Sequence, residues 1–271
     1  MSIIQTLEKT AVACGGVVLS LRNQQMQVQD KAEQLGAHFS TQADRLSQEV
    51  GLKMLREDMP GEIIIAEESE NGEKISPNCT VFDPLDGTTI YFNHLDDFSV
   101  SLCTLREGMP QYAATYFPTR SLLISAVRNE GCYVGGFQKG TQVQEIYWHG
   151  LLDKTLIGTD IGSWAVRHDT FHTVLRPLSE SFNIISSISA TEGARKVLFG
   201  QVGVFYNFGI AKIWDAAAMS LSIQEAGGLA CDPKGNSIDW SNVDCDWIVA
   251  ANQSLADIVI KRSCSWRGRM I

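Results

Sequence analysis

The sequence has no excess of basic residues, no paired-cysteine motif, no hydrophobic run of membrane length and no internal repeat. With 31 Asp+Glu against 22 Lys+Arg in 271 residues, the formal charge is −9. A surface that wraps a polyanion needs a basic footprint, so no nucleic-acid partner is expected. Chemistry on a phosphate would require metal ions to offset that charge. The seven cysteines, Cys14, Cys79, Cys103, Cys132, Cys231, Cys245 and Cys264, are scattered and form no Cys-x-x-Cys pair. That pattern excludes a disulfide framework and a zinc knuckle, and it fits a reducing cytoplasm. The one membrane or signal candidate, Thr10 to Leu21, has about twelve uncharged residues against the roughly 20 that span a bilayer. It also has neither a basic n-region nor a small-x-small cleavage site, so no membrane association is expected. His168 and His172, at i and i+4, lack the Glu of a His-Glu-x-x-His site and read as a solvated helix face.

What is present is an ordinary globular composition, 44% apolar and 20% charged, long enough for one large or two modest domains. Ile3, Leu7, Ala11, Cys14, Val18 and Leu21 recur every three or four residues, which predicts an opening amphipathic helix. Ser40-Thr41 offers N-caps for a second helix through Leu46, Val50 and Met54, stopped by Pro60-Gly61. Ile63 to Ala66 and Thr80 to Phe82 are short strand-like runs that each end in acidic residues. From Phe98 to Val134 the chain reads as antiparallel strands with a turn at Glu107 to Pro110. Beyond that, strands at 156–158, 183–187, 202–208 and 247–250 alternate with helices near 166–178, 192–199 and 216–226, and Asn252 caps a last helix. The expectation is a single unit over 1–271, with an α+β half up to about residue 145 and an α/β half from about 146.

The densest chemical signal is Asp83-Pro84-Leu85-Asp86-Gly87-Thr88-Thr89. Asp-Pro and Asp-Gly are strong turn dipeptides, and a plain turn is one reading. The other is a site: two carboxylates three residues apart at the end of a strand can bind hard cations, and the carbonyl of Leu85 can add a ligand. Gly87 permits close backbone approach, and the N–H groups of Gly87 and Thr88 can face a phosphate. The spacing fits neither an EF-hand loop nor the Asp-x-Asp-Gly-Thr of aspartyl-phosphate enzymes. Glu67-Glu68 follows a strand and reads either as a solvated loop or as more ligands. Asp215, in Trp214-Asp215-Ala216-Ala217-Ala218, is a candidate N-cap that could also turn an oxygen to a metal. Asp44 is a first-turn acid of the second helix.

Glu67-Glu68-Ser69, the Asp83 to Thr89 segment and Trp214 to Ala218 occur in that order, and Glu225-Ala226-Gly227-Gly228 closes the helix that the last of them opens. Together they resemble the inositol monophosphatase family of metal-dependent, lithium-sensitive phosphatases, from about Asp44 to Gly228. The resemblance implies a layered αβαβα sandwich of the inositol monophosphatase and fructose-1,6-bisphosphatase type. It also implies Mg²⁺, two or three ions per site, and hydrolysis of a small phosphorylated metabolite, commonly by a homodimer. Carried over by position, Glu67, Asp83 and the Leu85 carbonyl hold a first ion, Asp83, Asp86 and Asp215 a second, and Glu67 helps with a third. Thr88 and Asp44 match the pair that orients and deprotonates water, and Gly87 and Thr88 receive phosphate oxygens. Asn207 and the carboxylates of Asp86 and Asp215 match the substrate side.

The resemblance implies inositol monophosphate as substrate, with relatives specific for 3′-phosphoadenosine 5′-phosphate, histidinol phosphate or a sugar phosphate as alternatives. Inositol-specific members tend to carry an acid where Asn207 stands, and the segment from Gly209 to Ile213 is one residue longer than the family spacing. Ser189, Ala190 and Thr191 fall where the family's sugar-facing loop belongs, and Lys31 matches a family lysine. A protein that keeps the metal site but works through a partner is a further alternative. The tail residues Lys261, Arg262, Arg267 and Arg269 read as a frayed terminus.

Overall fold

A computed structural model of the chain describes residues 1–24, 28–30, 39–69, 75–148, 150, 155–159, 174–180, 182–186, 189–207 and 211–267. Lys31, His168, His172 and most of the helix expected at 166–178 lie outside those residues.

Helix α1 (Ile3–Leu21) starts where the periodicity predicts, behind a capping box in which Ser2 accepts from the Gln5 N–H. Helix α2 (Gln42–Asp58) is capped by Thr41, not Ser40. Strands β1 (Val28–Asp30) and β2 (Phe39–Thr41) pair antiparallel ahead of it.

A seven-stranded sheet follows in chain order: β3 (Ile64–Ala66), β4 (Cys79–Asp86), β5 (Ser99–Arg106), β6 (Met109–Phe117), β7 (Leu122–Val127), β8 (Gly131–Val134) and β9 (Thr141–Val143). β3 and β4 run parallel and the remaining neighbours antiparallel. Between β4 and β5 the chain forms α3 (Thr88–Phe92), so the Asp83 to Thr89 segment is a strand end running into a helix rather than a free turn.

The second sheet has five strands, β10 (Leu156–Thr159), β11 (Asn183–Ser186), β12 (Val204–Asn207), β13 (Leu229–Cys231) and β14 (Trp247–Ala250), in the order β11-β10-β12-β14-β13. β10 is parallel to both neighbours, whereas β14 is antiparallel to both of its own. Among the described residues, the helices of this half are α4 (Arg176–Ser179), α5 (Ala190–Leu198), α6 (Ile213–Glu225) and α7 (Gln253–Arg267). Asn252 accepts from Leu255 N–H at the start of α7, as expected. Lys261 and Arg262 belong to α7 and not to a frayed end.

α1 and α2 pack together on one face of the large sheet, while α6 crosses its other face and also touches β13 and β14. α5 packs beside α6 and against β12, and α4 and α7 cover the far side of the small sheet. The layers are therefore αβαβα. The segment 216–223 of α6 is buried throughout, as a helix between two sheets must be, and its alanines let both sheets come close. The largest core cluster draws on both halves, from Val81, Cys103 and Ile124 to Ile157, Phe205 and Val249.

α2 approaches β4 closely because residue 51 is glycine. A Cβ there would meet the Phe82 ring at 2.5 Å. That contact puts Asp44, at the N-terminal end of α2, beside the C-terminal end of β4. Six cysteines, Cys14, Cys79, Cys103, Cys132, Cys231 and Cys245, are free and buried. Burial raises the thiols of Cys79 and Cys231 to about 11, so they are packing groups rather than nucleophiles.

Candidate metal centre

β4 delivers two carboxylates to one face of the large sheet. Asp83 pairs with Ser101 and Asp86 with Ser99, so three steps on β4 match two on β5. In a regular strand, residues three apart point to opposite faces. The irregularity between Asp83 and Asp86 turns both toward the same side. Asp83 Oδ1 accepts from Leu85 N–H at 2.9 Å. Among the described residues, no donor reaches its buried Oδ2.

Two neighbouring elements complete a carboxylate triangle. Glu67 directly follows β3, and its N–H bonds to the Phe82 carbonyl at 3.1 Å, which ties it beside β4. Asp215 lies in the first turn of α6, where its Oδ2 accepts from Lys212 N–H at 2.7 Å. Asp215 is not the N-cap that the sequence suggests: the cap position is Lys212, and the helix begins at Ile213. An acid in the third helical position can reach back to the cap and still turn one oxygen outward. One oxygen each from Glu67, Asp83 and Asp215 lies within 4.8 Å of the others.

Asp86 stands outside this triangle. Its Oδ2 accepts from Ser189 Oγ at 2.6 Å, from Thr191 N–H at 2.9 Å and from Thr191 Oγ1, and its Oδ1 accepts from Ala190 N–H at 3.3 Å. Ser99 Oγ and Thr191 Oγ1 share a bond of 2.7 Å. The segment 189–191, expected to face a sugar, is thus the start of α5 and grips Asp86. Ser99, Ser189 and Thr191 were not identified as carboxylate partners from sequence. A signal was available, since Ser189-Ala190-Thr191-Glu192 has the Ser-x-x-Glu spacing of a capping box and marks a helix start.

Asp44 is fully buried and divides its oxygens between two tasks. Oδ2 accepts from the N–H and Oγ1 of Thr41, at 2.7 and 2.5 Å, closing the cap of α2. Oδ1 accepts from Thr88 Oγ1 at 2.8 Å. The same hydroxyl lies 3.3 Å from the Leu85 carbonyl. Gly87, with φ of +90°, occupies the cap position of α3, so the N–H groups that follow have no acceptor within that helix. Asn207 closes β12; it is buried, and among the described residues its Oδ1 has no partner.

The electrostatics are those of crowded, desolvated acids. Burial, followed by the charges of Glu67 and neighbouring aspartates, pushes Asp83 and Asp215 well above the usual carboxylate range. Asp44 is raised mainly by burial, against the lowering effect of its bonds from Thr41. Asp86 is raised by burial and partly restored by bonds from Ser189 and Thr191. Like charges brought together in a low-dielectric place destabilise the fold unless a counter-charge sits among them. An all-oxygen donor set with an orphaned carboxylate oxygen suits a hard divalent cation.

The family model described as the inositol monophosphatase family matches residues 1–266. The chain belongs to the inositol monophosphatase family. It is 31% identical over 212 residues to the Nus factor SuhB of Escherichia coli K12, a match that covers 76% of each chain. Among solved structures, the extragenic suppressor protein suhB of Bartonella henselae superposes with a TM-score of 0.84 at 23% identity, covering 97% of this chain and 98% of that one. An IMPase/NADP phosphatase complexed with Mg²⁺ and phosphate superposes with a TM-score of 0.74 at 21% identity, over 92% and 90%. At those identities the two structures establish the inositol monophosphatase fold, and with it the layered α and β arrangement expected from the sequence. Among the described residues, no helix is long and apolar enough to cross a membrane.

Proposed function

We propose that the chain hydrolyses a small phosphomonoester with Mg²⁺. The observation that carries this reading is the convergence of Glu67, Asp83 and Asp215, with Asp83 Oδ2 unpartnered, beside the 2.8 Å bond from Thr88 to Asp44. Family membership supports it. Glu67, Asp83, Asp86, Asp215 and the Leu85 carbonyl would hold two or three ions. Bound there, Mg²⁺ would supply charge neutralisation for the phosphoryl oxygens and leaving oxygen, and would make water a stronger acid.

The remaining work belongs to the chain. Thr88 can accept from a water while its own proton points to Asp44, which fixes the water's direction and gives its proton an acceptor. Asp44 suits that role because burial has already raised its basicity. The N–H groups of Gly87 and Thr88 would receive phosphate oxygens. Asp86, clamped by α5, and Asn207, whose buried Oδ1 has no partner among the described residues, would face the alcohol portion together with Asp215. An amide in place of an acid at Asn207 supports a sugar- or nucleotide-type alcohol as readily as inositol. The proposal takes the chain as a single unit, homodimeric, lithium-sensitive and cytoplasmic, on the strength of the family resemblance and the unpaired cysteines.

The test is phosphate release with and without Mg²⁺ from myo-inositol 1-phosphate, 3′-phosphoadenosine 5′-phosphate, histidinol phosphate and fructose 1,6-bisphosphate. Release that requires Mg²⁺ and disappears in Asp86→Asn supports the reading and identifies the alcohol. A second reading, action through a macromolecular partner with the metal site retained, is favoured by the Nus factor names of the relatives. Folded, Mg²⁺-loaded protein that releases no phosphate from any of the four would move the assignment to that reading.

A further inference from the structure

Gly87 is enclosed by two walls that come from distant parts of the chain. A Cβ at this position would lie 3.2 Å from the Asp97 carbonyl oxygen, 3.3 Å from Phe98 Cβ and 3.3 Å from Ser189 Cβ. One wall is therefore the segment entering β5. The other is the cap of α5, whose Ser189 hydroxyl donates to Asp86. These walls leave residue 87 no room for a side chain, and the second of them also holds the Asp86 carboxylate.

Arg120 touches both walls. It ends the 3₁₀ turn Pro118–Arg120, one strand beyond β5. Its guanidinium pairs with the Asp97 carboxylate, and the same NH2 group lies 3.6 Å from Glu192 Oε1. The preceding residue adds to the first wall, since Thr119 Oγ1 donates to the Asp96 carbonyl at 2.8 Å. Glu192 lies in the first turn of α5, one residue after the Thr191 that grips Asp86, and its side chain is completely buried. Its charge is already met by Arg195, through bonds of 2.7 and 2.8 Å, with Lys196 Nζ at 3.8 Å. A buried carboxylate needs a paired cation, and Arg195 meets that need. The contact with Arg120 is therefore additional to what α5 requires to fold, and what it provides is a second tie, beside the 2.7 Å Ser99–Thr191 bond, between the two segments. Both contacts are made by one guanidinium nitrogen, so an ammonium at the same place can reproduce part of them.

We propose that Arg120 is a positioning residue that holds the Asp97-Phe98 segment and the start of α5 together around Gly87. The assignment rests on the metal-dependent phosphatase reading for its catalytic consequence and on geometry alone for its structural one. It acts through Asp97 and Glu192 and touches neither ion nor substrate.

The experiment compares Arg120→Met and Arg120→Lys with the wild-type chain by amide hydrogen exchange, calorimetric Mg²⁺ titration, thermal melting and, where phosphate release is found, kcat and KM. Partly exposed ion pairs are each modest, so exchange in Arg120→Met should quicken about three- to tenfold within 87–98 and 189–195 while the rest of the chain is unchanged. Mg²⁺ affinity should weaken, kcat should fall with little change in KM, and Arg120→Lys should restore part of each. Unchanged exchange in the two segments, or quickening confined to 118–122, overturns the proposal. So does exchange that rises evenly over the whole chain, which marks a merely structural residue. If the wild type releases no phosphate yet exchange and Mg²⁺ affinity shift as stated, the phosphatase reading fails and this one stands. If the wild type is active and neither shifts, this one alone fails.

Discussion

Asp83 and Asp86 share one face of β4 although three residues separate them, because the strand slips by one against Ser99 and Ser101 of β5. Their environments then diverge. Asp83 keeps an unpartnered oxygen next to Glu67 and Asp215, whereas Asp86 gives both oxygens to the start of α5. One short segment thus presents an oxygen free for a cation and a carboxylate already braced for a defined direction.

Replacing Asp83 separates function from stability. Asp83→Asn removes a ligand and also removes one of the crowded negative charges. Mg²⁺-dependent phosphate release should fall on the order of 10³-fold, comparable to losing a principal electrostatic group in other active sites. The melting temperature in EDTA should stay level or rise, and the increase on adding Mg²⁺ should vanish. A variant that melts lower in EDTA and still gains from Mg²⁺ would contradict the assignment.

The pH dependence should change sign with the metal. In the metal-free protein, burial and then neighbouring charge raise Asp83 and Asp215, so the folded state retains protons that the unfolded chain has released. Their contribution is fully present below the ordinary carboxylate pKa of about 4 and is lost as pH rises through the raised values. With Mg²⁺ bound to the ionised carboxylates, protons compete with the ion, and stabilisation by Mg²⁺ grows with pH. Melting curves in EDTA and in Mg²⁺, between about pH 4 and 8, check both trends. Parallel profiles in the two buffers would refute the metal assignment.

Thr88 and Asp44 are joined by a hydroxyl whose loss can be isolated. Thr88→Val keeps shape and removes the 2.8 Å bond. The expected loss in kcat is about 10²- to 10⁴-fold, the range for a positioned proton-transfer group, with Mg²⁺ affinity nearly unchanged. Thr88→Ser, which keeps the hydroxyl, should recover most of the rate. Equal losses in both variants would point to packing rather than proton transfer.

Thr191 braces Asp86 through both its N–H and its hydroxyl. Thr191→Ala retains the first and loses the second. Groups that orient a metal-binding carboxylate typically contribute 10- to 100-fold, so Mg²⁺ affinity or activity should drop by about that factor. Calorimetric titration measures it directly, and unchanged affinity and rate would show that the N–H bonds suffice.

Gly51→Ala tests the close approach of α2 and β4. Alanine favours a helix over glycine by about 1 kcal/mol. The added Cβ, however, would lie 2.5 Å from the ring of the fully buried Phe82 and 3.0 Å from Cys14 Sγ. Overpacking of this kind costs about 1–3 kcal/mol, which meets or exceeds the propensity gain, so Tm should fall by up to roughly 8 °C. A higher Tm would mean that the ring can move aside.

The sequence by itself determined the local elements and the inventory of chemistry. The three- and four-residue period of α1, the cap at Thr41, the β14 run and the ordered acidic motifs all depend on neighbours within a few positions, and such interactions are written directly in the chain. Short strands at sheet margins, β9 and β13, were not legible, because three residues carry no period and form only where a partner strand already exists. The start of α6 was misplaced because Asp215 looks like a cap until the Lys212 N–H is seen bonding to it. The tertiary structure alone decided that Asp83 and Asp86 share a face, that Asp86 is held by residues more than a hundred positions away, and that Thr88 meets Asp44. Each of these depends on register and on contacts between distant segments, and nothing in local spacing specifies which hydroxyl will arrive at which carboxylate.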